Sequence, residues 1–275
     1  MKRHTMVSIC FAAVLLLGSH LWAGQDQPFG SWTDQQKEEF LLRGDIGRMK
    51  TVSEGITLSS RATLTYKGVE HDAQIQSVEV SKPSHPTPEG FELNFRDSYK
   101  FNIAAYRLTR LLGMNMTPVS VERTVKGKPS AVTWWIDNAL MTEKTRYRKK
   151  INPPDHGPWN RQMHILRVFD ELIYNTDRNL GNIVISEDWK AWMIDHTRGF
   201  RAHKQLRRPQ NLLRCDRKLL NSMRTLTREQ LDRELGPYIG RVEVAAILSR
   251  RDLIVELFEK KIKEQGEAAV LYDFL

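Results

Sequence analysis

The run Asn175-Thr-Asp-Arg-Asn-Leu-Gly-Asn182, continued by Ile183-Val-Ile185 and, after a turn, by Met193-Ile-Asp-His196, decides how this chain is read. Asn, Asp and Gly end a helix readily, because the polar side chains bond their own backbone and Gly accepts unusual dihedrals. The β-branched runs on either side of Ser186 to Lys190 read as a two-stranded hairpin. Its far end is Asp195, which therefore returns beside the turn that carries Asp177 and Asn182. Two carboxylates and an amide oxygen converging on one point are hard-oxygen ligands suited to Mg²⁺ or Mn²⁺, with substrate phosphates completing the shell. Asp-Arg-Asn in isolation is ordinary turn chemistry. The strand that follows and the Ile194-Asp195 hairpin end turn it into a candidate site.

Working outward, Asn160 to Tyr174 reads as a helix that sends Met163, Leu166, Phe169, Leu172 and Ile173 inward at a period near 3.6 residues. The chain from about Leu212 onward reads as helical, including Arg241 to Gln265. Upstream, the proline-rich stretch Asn152 to Pro158 separates this helical half from a half with a different pattern. There, Ile56 to Tyr66 and Val69 to Val80 are β-rich runs joined at Lys67-Gly68. Lys82 to Gly90, with its three prolines, reads as a loop. Asp97 to Leu112 is a helix capped by Gly113, and Pro118 to Val125 and Ala131 to Asp137 are further strands around the turn Lys126-Gly127-Lys128-Pro129. The fold class is α+β. Ser31 to Arg43 adds a short amphipathic helix, with Thr33 and Gln36 at capping-box spacing. The expected organisation is a leader at 1–23, an N-terminal helical extension at 24–54, a β-rich lobe at 55–150 and a helical lobe at 151–275.

Lys2, Arg3 and His4, the apolar run Met6 to Gly18 and Leu21-Trp22-Ala23-Gly24 have the order of a secretory signal peptide. An uncleaved anchor is the competing reading, but the run is interrupted by Gly18, Ser19 and His20 and falls short of the ~20 residues that span a bilayer. A periplasmic or extracellular protein with no stable membrane span after cleavage is expected. Cys215 is the only cysteine outside the leader, so no intrachain disulfide is expected. The formal charge of +9 favours anionic partners. The basic residues are scattered, with small clusters at Arg146 to Lys150 and Lys204 to Arg208. That distribution is a solvated surface more than a nucleic-acid footprint.

The Asp177-Arg178-Asn179-Leu180-Gly181-Asn182-Ile183 run resembles the Asp-Arg-His-x-x-Asn-Ile signature of phosphatidylinositol 3- and 4-kinases and the corresponding loop of HipA-type kinases. It resembles more closely the Golgi secretory-pathway kinases that act on casein-like proteins and proteoglycan sugars. Ile103-Ala-Ala-Tyr-Arg-Leu-Thr-Arg-Leu-Leu112, Thr117-Pro-Val-Ser-Val-Glu-Arg123 and Ile194-Asp195 with Arg198-Gly199-Phe200 are similar to segments of that group. The likeness implies a two-lobed protein-kinase-like fold, with a small β-rich N-lobe containing one helix and a mainly helical C-lobe. It further implies ATP or another nucleoside triphosphate, Mg²⁺ or Mn²⁺, and a hydroxyl-bearing acceptor on protein, lipid or sugar. Asp177 would take the acceptor proton, Asn182 and Asp195 would hold metal, Arg178 would buttress the loop, and Trp134 to Asp137, with Trp135 and Asp137 beside an adenine ring, would be the hinge.

The departures lie on the N-lobe side. Kinases hold the nucleotide phosphates with a strand lysine that an acid on the next helix positions. Aligning the helix on Ile103-Ala-Ala-Tyr106 puts Asn102 at the acid's place, and Ala73-Gln-Ile-Gln76 puts Gln76 at the lysine's. Lys82 is the nearest basic replacement. Two readings follow: an atypical active kinase, in which Lys82 or a C-lobe basic residue serves the phosphates, or a nucleotide-binding pseudokinase that scaffolds or activates a partner.

Overall fold

Thr33 starts the first helix, α1 (Asp34–Arg43), as its capping-box spacing predicts: Thr33 Oγ1 accepts from the Gln36 amide at 3.2 Å and Gln36 Oε1 accepts from the Thr33 amide at 2.8 Å. The computed structural model of the chain describes residues 31–51, 59–87 and 90–275. The leader read at 1–23 and the strand start at Ile56 lie outside the described residues. Thr33→Ala removes one arm of the box and is expected to lower unfolding stability by about 1 kcal/mol, read from the midpoint of a urea transition. An unchanged midpoint would show that the cap contributes nothing here.

The chain then forms β1 (Asp45–Thr51), β2 (Ser59–Tyr66) and β3 (Val69–Gln76), an antiparallel meander. Residues 45–51 are thus an edge strand of the sheet and not part of a helical extension. Lys67 (φ 51°) and Gly68 (φ 78°) both take left-handed dihedrals between β2 and β3, the geometry whose twist suits a two-residue hairpin turn. Next come β4 (Glu79–Thr87) and β5 (Gly90–Ser98), which among the described residues pair only with each other. The loop expected over Lys82 to Gly90 is therefore mostly strand. A two-stranded ribbon has an open edge on each side, and a proline nitrogen that faces outward loses no ladder bond there.

Helix α2 (Lys100–Leu111) follows, then β6 (Ser120–Val125) and β7 (Lys128–Trp134), which complete a five-stranded sheet in the order β1-β2-β3-β7-β6. Helix α1 lays Phe40 and Leu41 on one face of this sheet, where they pack with Trp32, Leu64, Ala73, Tyr106 and Trp134. Tyr106 Oη donates to Glu38 at 2.6 Å, and Arg107 and Arg110 pair with Glu38 and Asp34, so α1 also grips α2.

The crossing into the helical part falls at Trp135–Asn138, and not at the proline-rich stretch near residue 150. β8 (Ala139–Thr142) already belongs with β9 (Ile183–Ser186) and β10 (Ala191–Met193), in the order β10-β9-β8. Between them lie α3 (Glu143–Lys149) and α4 (His156–Ile173); after them come α5 (Arg217–Thr225), α6 (Arg228–Leu235), α7 (Arg241–Gln265) and α8 (Glu267–Val270). Leu271–Tyr272 form a short β12 that pairs in parallel with β11 (Cys215–Asp216), an interruption of the expected all-helical tail. Helix α2 is shared: Phe101, Ala105 and Leu108 join Phe169, Leu172, Phe200 and Phe258 in the large core, while Tyr106 faces the sheet. That position carries Asn102 to the seam between the two parts. No helix among the described residues is long and apolar enough to cross a membrane.

Candidate active site

Helix α4 ends because Tyr174 takes a left-handed turn (φ 51°), after which Asn175 bonds back to Asp170 through both its backbone and its side chain. Asn175 Oδ1 then accepts from the Asp177 amide at 3.0 Å, the self-bonding that polar turn residues favour. Arg178 locks the loop from below: its Nε donates to Asp170 at 2.9 Å and its Nη1 donates to the carbonyls of Asn182 (2.7 Å) and Ile194 (2.9 Å). The buttress expected of Arg178 is therefore built of an ion pair with Asp170 and two carbonyl bonds, one to the loop and one to the hairpin. Asn182 Nδ2 donates to the Asp177 carbonyl at 3.1 Å, leaving the amide oxygen of Asn182 to offer to a ligand. β9 and β10 pair in register from Ile183–Met193 to Ile185–Ala191, and the strand ends two residues before Asp195, which sits at φ 52°. A non-glycine residue held in that region is strained, and such strain concentrates at functional sites.

Asp195 lies at the meeting point of the two parts. Burial raises its carboxyl above the ordinary carboxylate range, against a hydrogen bond from Thr197; Asp97 adds to the rise, a hydrogen bond from Gln76 opposes it, and Asp177 adds a smaller rise. Gln76, and not Lys82, is therefore the β3-side group that meets Asp195. Asn102 Nδ2 donates to Gln76 Oε1 at 2.5 Å, and Asn102 Oδ1 accepts from the His196 amide at 2.7 Å. This neutral amide pair ties β3, α2 and the Asp195 segment together. His196 is buried, which holds its imidazole far below its usual range, so it is a neutral structural residue.

The structure thus gathers Gln76, Asn102, Asp177, Asn182 and Asp195. It leaves the other three expected residues elsewhere. Lys82 is exposed on β4 opposite Phe95 and makes no ion pair among the described residues. Trp135 and Asp137 line a separate cavity of about 580 Å³ at the crossing, with Arg61, Thr63 and Asp72. There Arg61 lies over the Trp135 ring at 4.3 Å, and Asp137 is held by His71 (2.6 Å) and the Trp134 indole N–H (3.1 Å). Asp72 and Gln76 share one face of β3, roughly 13 Å apart by strand rise.

Two acids escaped the sequence reading as site members. Asp97, just before α2, has a buried Oδ1 with no partner among the described residues and lies near enough to raise Asp195. Glu92 reaches from β5 to Arg198 at 3.3 Å and Arg201 at 2.7 Å. The sequence pattern marks Asp97 only as the start of the helix that carries Asn102, and Glu92 falls between that helix and the loop read over Lys82 to Gly90, so the strand that carries both goes unseen. Partly buried carboxylates, one with an orphaned oxygen, and an amide oxygen are the donor types a hard divalent cation takes, although no three acidic, His or Cys side chains among the described residues are already drawn together around one point. On the far side of Asp177 from Asp195 a cavity of about 1260 Å³ opens, with Trp159, Met163, Leu93 and Arg198 among its walls.

No family model matches the chain, and no curated protein matches it in sequence. Solved structures do. The hydra Fam20 structure with sugar superposes at a TM-score of 0.66 and 16% identity, covering 87% of this chain and 92% of that one. The Golgi casein kinase with Mn/ADP bound gives a TM-score of 0.60 at 13% identity, with 88% and 81% covered, and the same kinase in a second structure gives 0.58. At these identities the likeness establishes the fold.

Proposed function

We propose that this chain, which has the fold of the Fam20-like atypical kinases, is an exported phosphotransferase that moves the terminal phosphate of ATP to a hydroxyl of a protein, lipid or sugar. The observation that carries this reading is that Asp177 stands close enough to Asp195 to act on its carboxyl, on the loop that also carries Asn182, and itself lines a cavity large enough for an acceptor. Asn182 and Asp195, with Asp97 at hand, would hold Mg²⁺ or Mn²⁺, which when bound neutralises charge on the phosphates. Asp177 accepts the proton of the acceptor hydroxyl as that oxygen forms its bond to the terminal phosphorus. The bond from that phosphorus to the bridging oxygen breaks, and ADP leaves with the electron pair. Arg178 keeps the loop carrying Asp177 and Asn182 in register with the Asp195 hairpin.

The Gln76–Asn102 bond favours a second reading, a pseudokinase that binds nucleotide and acts as a scaffold, because a neutral pair gives the phosphates no ammonium. Transfer of labelled phosphate from ATP to a serine peptide, a simple glycoside and a phosphoinositide, with Mn²⁺ and with chelator, separates the two. Metal-dependent product supports the kinase; nucleotide binding with no product on any acceptor, and no ATP hydrolysis, supports the scaffold. Asp195→Asn is expected to weaken Mn²⁺-dependent nucleotide binding at least ~10-fold by titration calorimetry, and equal affinity would remove Asp195 from the metal site.

A further inference from the structure

A phosphate site that has exchanged its lysine for Gln76 needs a cation from elsewhere, because the groups that crowd Asp195 are two more carboxylates, Asp97 and Asp177, and neutral amides. We propose that Arg198 is that cation and contacts the terminal phosphate of the bound nucleotide; this rests on the reading of the site as a nucleotide site. Arg198 stands three residues after Asp195, lines the large cavity with Asp177, and brings its Nη1 to 3.9 Å from Asp177 Oδ2. A phosphoryl group that Asp177 serves must pass within reach of a guanidinium held there.

The side chain is held from several directions. Its carbonyl accepts from both the amide (3.2 Å) and the hydroxyl (3.1 Å) of Thr176, which ties it to the loop of Asp177. Its Nη2 donates to Glu92 at 3.3 Å, and its guanidinium carbon lies 5.0 Å from the centre of the Phe95 ring. Asn94, at φ 52°, interrupts the alternation of β5, so Glu92 and Phe95 both meet Arg198 and Arg201 while Phe91 and Leu93 stay in solvent. The side chain is 22% exposed, its Nε is buried without an acceptor among the described residues, and the contact to Asp177 is too long for a hydrogen bond. Donors therefore remain for an anion, and a planar guanidinium suits phosphate oxygens.

The neighbouring arginines do not compete. Arg178 gives its donors to Asp170 and two carbonyls, and Arg201, 5% exposed, pairs with Glu92, donates to the Arg96 carbonyl and lies outside the walls of the large cavity. An arginine supplied in cis stabilises charge on a transferring phosphoryl group in other nucleotide enzymes. Here it would do so as the O–P bond to the acceptor forms and the bond to the ADP oxygen breaks.

The test measures the affinity of ATP and of ADP, each with Mn²⁺, by calorimetry on the full mature chain, alongside phosphate transfer. The wild type is expected to prefer ATP by tenfold or more. Arg198→Gln is expected to abolish that preference while leaving ADP affinity within twofold, and Arg198→Lys to keep part of it. The double variant Arg198→Gln/Glu92→Gln removes the acid left facing the gap and guards against misfolding, with the thermal midpoint as the check. A folded Arg198→Gln protein that still prefers ATP, or a wild type with no preference, overturns the proposal. Loss of transfer in Asp177→Asn together with an unchanged ATP preference in Arg198→Gln leaves the kinase reading standing and sinks this one. A wild type that transfers nothing, yet loses its ATP preference in Arg198→Gln, does the reverse. A chain that binds neither nucleotide overturns both.

Discussion

Asp177→Asn is expected to lower phosphate transfer by about 10²–10⁴-fold, the usual worth of a general base, while ADP binding with Mn²⁺ and the thermal midpoint stay at their wild-type values. The separation of effects follows from how the loop is built. The loop bonds at this residue are made by its backbone: the amide donates to Asn175 and the carbonyl accepts from Asn182 and from the Asn179 amide. The carboxylate itself is 41% exposed and its recorded charge contact, to Arg198, is long. Asparagine keeps the shape and the backbone bonds but cannot take a proton at neutral pH. Steady-state transfer to whichever acceptor the wild type uses gives the rate, and calorimetry gives the ADP affinity. Activity within tenfold of wild type would show that Asp177 is a turn residue and that the proton leaves by another route.

Arg250→Ala is expected to cost about 4 kcal/mol of stability and to lower the thermal midpoint by roughly 10 °C. Arg250 is fully buried on α7, with burial lowering its guanidinium to about 10 against a smaller pull from Glu171, and it forms no ion pair among the described residues. Its Nε donates to the Leu172 carbonyl at 2.8 Å and its Nη1 to the carbonyls of Arg201 (3.0 Å) and His203. Removing it strands these carbonyls away from water, each worth about 1–3 kcal/mol when left unmade, and opens a cavity beside Tyr174. Arg250→Met, which refills the stem but makes none of the bonds, should recover only the packing share. Denaturant unfolding of both variants measures this, and a loss under about 1 kcal/mol would show that the carbonyls find other donors. Because Leu172 lies in the last turn of the helix that leads into the Asp177 loop and Arg201 stands three residues after Arg198, the folded alanine variant should also bind nucleotide more weakly.

Periodicity and turn chemistry located most helices and strands, since α2, α4 and the hairpins at Lys67-Gly68 and Lys126-Gly127 depend on neighbours a few residues away. The failures share one cause. β1 and the β4–β5 ribbon carry little apolar alternation, with Pro83 and Pro86 in β4 and mostly exposed side chains, and they are strands because a partner strand or an open edge permits it. The expected boundary at residue 150 followed a run of prolines. The chain crosses at Trp135–Asn138 because β8 pairs with β9, some forty residues later.

The sequence by itself determined the half of the site made from Asp177, Asn182 and Asp195, because a helix end, a turn and a hairpin bring these together within 19 residues whatever the rest does. The resemblance it carries also put Gln76 and Asn102 where a charged pair is expected. Only the tertiary structure decided that these two amides bond each other across 26 residues, that Asp97 joins the acids, and that Glu92 reaches Arg198 across 106. Those contacts are set by how α2 packs between sheet and helices, a matter of core shape and burial that no local pattern encodes.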